Sequence, residues 1–192
     1  GQCGAAVGRG RITSEMTAQS IDLSGLADVL EERARHGRII AALAGAPGSG
    51  KSTLAARLVA LLEERSPGSA AILPMDGYHY DDGLLDRMGR RAYKGAPDTF
   101  DVGGFRHMLQ RLRANDEEAV AVPVFDRELE IARAGAALIG HEVRIVVAEG
   151  NYLLLRDPPW SGLRPFFDVT AFVDVEEDVL RRRLEARWVG YG

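Results

Sequence analysis

Lysine is almost missing from this chain. Of the 24 lysine and arginine residues, only Lys51 and Lys94 are lysines. Cysteine is rarer still: Cys3 stands alone, which excludes an internal disulfide and a two-cysteine metal site and suits a reducing compartment. No run approaches the ~18 apolar residues of a membrane-spanning helix, and the start lacks a charged stretch followed by an apolar one. Neither membrane insertion nor a secretory signal is expected. Net charge is −4 and no basic stripe is interleaved with aromatics, which sets nucleic acid aside as a partner. These absences point to a cytoplasmic chain the size of one α/β domain. Residues 1–20 are Gly-rich and aperiodic and read as a disordered leader or remnant, with Met16 a second candidate start. Residues 21–192 read as a single domain.

What is present explains where one lysine went. Residues 45–52 read Gly45-Ala46-Pro47-Gly48-Ser49-Gly50-Lys51-Ser52, a complete G-x-x-x-x-G-K-[ST] phosphate-binding loop followed by Thr53. Lys ends in a compact point charge and Arg in a wide planar fork; a loop wrapped around a polyphosphate has room for the first. The glycines let backbone N–H groups turn inward as an anion nest. The helix that follows directs its positive end, roughly half a charge, at the same spot. Ser52 offers a hydroxyl to Mg²⁺. The flanks agree, with an apolar strand-like run over 38–44 and apolar residues at Leu54, Leu58, Leu61 and Leu62 at near-helical spacing.

The remaining pattern alternates strands and helices. Helices are expected over about 23–35, with Leu23, Leu26, Val29 and Leu30 on one face, and over 101–113, with Phe105, Met108, Leu109 and Leu112. Strands are expected over 70–74, 119–125, 143–148 and 169–173. A last helix to about Trp188 opens with the Asp174…Glu177 capping box. This order predicts a mostly parallel sheet with helices on both faces. Ligands of such sheets sit beyond the carboxyl ends of the strands, so strand-end acids are the suspects. Asp76 follows an apolar run and can accept the proton of an attacking hydroxyl; as part of an Asp-Gly pair it could equally be a turn former. Glu149 ends the 143–148 strand, where an acid can hold Mg²⁺. Ser52, Asp76 and Glu149 are the candidate metal ligands. Arg183 and Arg187, four apart on the last helix, project together and could neutralise a transferring phosphoryl group.

The chain resembles the P-loop kinases of the uridine kinase, phosphoribulokinase and bacterial pantothenate kinase group, and within it the bacterial proteins labelled fructose-transport-system kinases or nucleoside-triphosphate-hydrolase-domain proteins. Five motifs carry the likeness: Gly45 to Ser52, Met75-Asp76-Gly77-Tyr78-His79, Lys94 to Asp101, Pro123-Val124-Phe125-Asp126-Arg127 and Glu149-Gly150-Asn151-Tyr152. The resemblance implies a P-loop NTPase fold with a helical lid near the C-terminus. It implies Asp76 as catalytic base, assisted by Lys51 and Arg187, and Arg183 and Arg187 as lid arginines on the nucleotide. It places His79 and Phe125 where uridine kinases put aromatics against the nucleoside. Uridine kinases also hold the ribose with an acid where this chain has Gly95, which argues against uridine. The group's closing strand after the lid is not evident before Gly192, consistent with truncation.

The expectation is an ATP- and Mg²⁺-dependent kinase acting on a hydroxyl of a small polar metabolite, foremost a sugar. Its acceptor would be lined by Tyr78, His79, Lys94, Asp98, Phe100, Asp101, Phe125, Arg127, Arg133 and Tyr152. A uridine, cytidine or pantothenate kinase is the alternative within the class, and a nucleotide-binding regulatory module the alternative outside it. A homodimer is left open.

Overall fold

A computed structural model describes residues 19–175. Four strands make a wholly parallel sheet in the order β2 (Ala70–Pro74), β5 (Ile145–Gly150), β1 (Ile39–Gly45), β6 (Val169–Val173). β1 is buried at every position, as a central strand covered on both faces must be. Its side chains alternate between two cores. Ile40, Ala42 and Ala44 pack with β5, with α4 (Val102–Ala114) and with Trp160 and Leu163 on one face. Ile39, Ala41 and Leu43 pack with α1 (Leu23–Arg33) and α2 (Lys51–Arg65) on the other. This is the expected α/β architecture.

The helices start where their side chains allow. Asp22 caps α1 by accepting from the Gly25 amide at 2.7 Å, and Asp101 caps α4 through the Gly104 amide at 2.8 Å. On α1 the buried face is Leu26, Ala27 and Leu30. Val29, expected there, lies outward, because at 3.6 residues per turn it sits about 100° round the helix from the Leu26–Ala27–Leu30 stripe. A short helix, α3 (Asp82–Arg87), and two 3₁₀ turns fill the 81–100 region.

The strand expected over 119–125 is present but does not join the other four. β3 (Ala119–Asp126) is a strand, but it leaves the parallel sheet and pairs antiparallel with β4 (Ile131–Gly140) as a separate hairpin. β4 was not anticipated. It is Ala- and Gly-rich and mostly exposed, so it lacks the apolar alternation that reveals half-buried strands. Buried Arg38 ties the hairpin to the sheet, donating to the carbonyls of Leu112, Gly140 and Val143. Glu177 of the Asp174…Glu177 capping box, and the expected last helix with Arg183 and Arg187, lie outside the described residues. Among the described residues no helix is long and apolar enough to cross a membrane.

Candidate active site

The phosphate loop bridges β1 and α2. Gly48 and Gly50 both adopt left-handed backbone, with φ of 77° and 85°, a region L side chains enter at a cost. A Cβ at Gly45 would lie 2.6 Å from the Ser49 hydroxyl, so the tight return over the loop requires glycine there. Lys51 is the first residue of α2, with Gly50 as N-cap. The loop, the N-terminus of α2 and Lys51 therefore border one volume, the kind of place where a helix start favours an anion.

β5 ends beside it. Leu43 of β1 is in register with Glu149, which brings this carboxylate to the base of the loop. The Ser52 hydroxyl donates to Glu149 Oε1 at 3.1 Å. Glu149 is only 6% exposed, and its Oε2, like the Ser49 hydroxyl, is buried without a hydrogen-bond partner. Burial first, then the charge of Asp76, push the Glu149 carboxyl above its ordinary value, against the pull of Lys51 and Ser52. An orphaned, desolvated carboxylate oxygen beside a hydroxyl is a donor set that fits Mg²⁺. Among the described residues no group of three or more His, Cys, Asp and Glu side chains could hold a metal. The ion would therefore take further ligands from phosphate and water, as Mg²⁺ does at nucleotide sites.

Asp76 lies in a 3₁₀ turn, Met75–Tyr78, that directly follows β2. The hairpin docks on this turn: a Cβ at Gly77 would come within 2.6 Å of the Pro123 carbonyl oxygen. Close approach rather than turn geometry is why Gly follows Asp76. The His79 Nδ1 lies 2.9 Å from the Asp76 carbonyl oxygen; since a carbonyl can only accept, Nδ1 carries the proton. The His79 ring stands against Phe100 at 4.1 Å and Phe125 at 4.7 Å between centroids. Phe100 arrives through an antiparallel bridge with His79, flanked by bonds from the Tyr80 amide to Thr99 and from the Asp101 amide to Tyr78. From the β3–β4 turn, the Arg127 Nη2 reaches Asp76 Oδ2 at 2.9 Å.

One cavity of about 680 Å³ joins these parts. It is lined by Pro47 to Leu54 of the loop and helix, and by Asp76, His79, Phe100 and Arg127 on the far side. Arg57, Asn151 and Val173 complete it and were not anticipated; Asn151 could have been found one step past Glu149-Gly150.

Several residues expected at the acceptor have other occupations. Tyr78 is buried edge-on against Phe105 at 4.9 Å, and burial raises its phenol well above the ordinary value. The Lys94 ammonium donates to Asp82 at 2.6 Å and to the Glu130 carbonyl at 2.7 Å, so it anchors the hairpin turn rather than lining the cavity. Asp98 pairs with Arg90 and Arg133 with Asp126. Asp101 is the α4 cap. Tyr152 donates to the Gly95 carbonyl at 2.7 Å and packs on Phe100 and Trp160 behind the cavity wall. Phe125 acts through its contact with His79. Gly95 itself has φ of 99°, which an acidic side chain would strain. The departure from the uridine-kinase pattern is thus built into the backbone. Arg183 and Arg187 lie outside the described residues.

Comparison with known proteins agrees with this geometry. No protein-family model matches the chain. It is 37% identical over 155 residues to "Putative uridine kinase C227.14" of Schizosaccharomyces pombe, covering 78% of this chain and 66% of that protein. It thus spans slightly under two thirds of that relative. It is 35% identical over 125 residues to "ATP-dependent kinase-like protein notR'" of Aspergillus versicolor, covering 62% of this chain and 73% of that one. Among solved structures, the "putative fructose transport system kinase" from Silicibacter sp. TM1040 superposes with a TM-score of 0.82 at 42% identity, over 90% of this chain and 84% of that one. With a phosphate loop and a β2-tip acid around one cavity, a β5-tip acid hydrogen-bonded to Ser52 of the loop, and relatives at this level, the chain belongs to the P-loop kinase family of these proteins.

Proposed function

We propose that this protein transfers the γ-phosphoryl group of ATP to a hydroxyl of a small polar metabolite, a sugar being the foremost class. The observation that carries the reading is the shared cavity, with the phosphate loop on one side and Asp76 across from it. Loop amides and Lys51 hold the β- and γ-phosphates. Ser52 and Glu149 would hold Mg²⁺, with Asp76 on its acceptor side, and the bound ion would neutralise charge developing on the transferred group. Asp76 receives the proton of the acceptor hydroxyl as its oxygen attacks. His79, braced between Phe100 and Phe125 with its Nδ1 proton committed to the Asp76 carbonyl, has Nε2 left to meet the acceptor. Arg183 and Arg187 would close over the nucleotide from the lid.

The aromatic bracket around His79 favours one second reading, a nucleoside kinase whose base stacks there; the conformation of Gly95 weighs against it. The test is ADP formation from Mg-ATP with a panel of sugars, nucleosides, pantothenate and other alcohols. Acceptor-dependent ADP formation, lost in Asp76→Asn, is expected. Nucleotide binding with no acceptor-dependent turnover across the panel would overturn the kinase reading in favour of a nucleotide-binding regulatory module.

A further inference from the structure

We infer that the acceptor carries a carboxylate or phosphate group and that Arg127 is the residue that reads it. The inference deepens the kinase reading and rests on the same cavity.

The argument begins with how the cations around the acceptor side are spent. Lys94 and Arg91 are both bound to Asp82, Arg90 to Asp98, and Arg133 to Asp126. Each has a carboxylate partner outside the cavity lining. Arg127 differs on both counts. It lines the cavity, and its carboxylate partner is Asp76, the proposed base. Arg127 is 58% exposed and Asp76 25%, so the pair is a half-solvated contact of the kind that contributes little to stability. Stability therefore does not account for placing a guanidinium on the base. Its planar fork suits a different task, two-point capture of a carboxylate or phosphate.

A neutral acceptor leaves one oxygen of Asp76 occupied by Arg127. An acceptor with an oxyanion gives the guanidinium a second partner and turns that carboxylate toward the incoming hydroxyl. Geometry bounds the ligand. Hydroxyl to Asp76, Asp76 to Arg127 and Arg127 to anion are three successive hydrogen bonds, and the carboxylate and guanidinium between them add about 2 Å each, so anion and hydroxyl lie within roughly 13 Å of one another even at full extension. That describes a compact hydroxy acid or sugar phosphate.

The experiment uses matched pairs that differ in the anion: glycerate against glycerol and gluconate against sorbitol for the carboxylate, fructose 6-phosphate against fructose for the phosphate. Binding is measured with Mg²⁺ and a non-hydrolysable ATP analogue, and kcat/KM with Mg-ATP, on the wild type, Arg127→Met and Arg127→Lys. At least one anionic member should be preferred over its neutral twin by about 10- to 100-fold in the wild type, the worth of one charged hydrogen-bonded contact. That preference should collapse in Arg127→Met and be partly kept in Arg127→Lys. Unchanged thermal melting of the variants shows that folding is intact. If Arg127 merely covers Asp76, both members of each pair change together and the ratio stays fixed, which overturns the inference. No anionic preference in the wild type, or no binding of any member, overturns it as well. Turnover of neutral acceptors without anionic preference sinks this inference while sparing the kinase reading. Anionic preference in binding without turnover does the reverse.

Discussion

The two sides of the cavity are made in opposite ways. The phosphate side is one contiguous stretch, residues 45–52, whose form is set mostly by backbone: left-handed glycines at 48 and 50 and the start of α2. The acceptor side is assembled from side chains on four separated segments, Asp76 and His79, Phe100, Arg127, and Asn151. Its parts are positioned by an aromatic bracket and by ion pairs anchored to a hairpin outside the main sheet. A backbone-built half can be encoded in eight residues. A side-chain-built half needs the tertiary fold to exist at all, and it can change its ligand without disturbing the other half.

The sharpest way to break this comparison is at its centre. Lys51→Ala removes the loop's point charge from the β/γ-phosphates, and phosphoryl transfer should fall to background with every acceptor while ATP binding weakens. Turnover with any acceptor at a normal rate would refute the assignment of the loop. Asp76→Asn should instead spare ATP affinity and lower kcat by about 10²–10⁴-fold, the contribution of one general base. The pairing of these two results, measured by nucleotide titration beside steady-state rates, is the test of two separable halves. Parallel loss of ATP binding in Asp76→Asn would move that residue to the metal.

The same division decides what the sequence made legible. Gly45 to Ser52, Asp76 and Glu149 could be read because a loop motif and strand tips are local features, and a parallel sheet places all strand tips together. The β3–β4 hairpin was half-read, since β4 is an Ala-rich strand with solvent over most of it and has no periodic signature. Lys94, Asp98 and Arg133 looked like substrate contacts because charge beside aromatics in an acceptor loop suggests them. Only the fold reveals that each already holds a partner. Tyr78 and His79 are adjacent in sequence, yet one enters the core and the other the cavity, a split set by the His79–Phe100 bridge. Asp101 needed no ligand to explain it once α4 required a cap.

Glu149 sits where the halves meet, and its titration sharpens the boundary. Its folded-state value is raised by burial and by Asp76. The folded, ligand-free protein therefore binds more protons than the unfolded chain just above the ordinary glutamate value, about 4.3. Stability from this group falls as pH rises through that window, and the full cost of the buried charge is present above the raised value. Glu149→Gln should then melt higher than wild type at neutral pH without ligand and match it in acid. The same variant should need about 10–100-fold more Mg²⁺ for half-maximal rate, the scale for altered metal support. A variant that is not stabilised at neutral pH would show that Glu149 is not a strained, metal-awaiting carboxylate.

The smallest expected effect compares one backbone penalty on the two sides. Gly48 and Gly95 both hold positive φ, 77° and 99°, and a Cβ at Gly95 would meet nothing within 4 Å. Gly95→Ala should therefore cost only the conformational strain of an L residue, about 1–2 kcal/mol, which lowers Tm by a few degrees in a domain of this size. Its carbonyl still accepts from Tyr152, so ATP affinity should not move. Gly48→Ala carries a similar strain, but in the proposed site the backbone there would itself be the phosphate ligand. Its melting loss should be comparable and its loss of ATP affinity disproportionate. Thermal melts and nucleotide titrations on both variants decide the matter: equal effects on ATP binding would mean that the phosphate side is no more dependent on backbone geometry than the acceptor side, and the contrast between the two halves would fail.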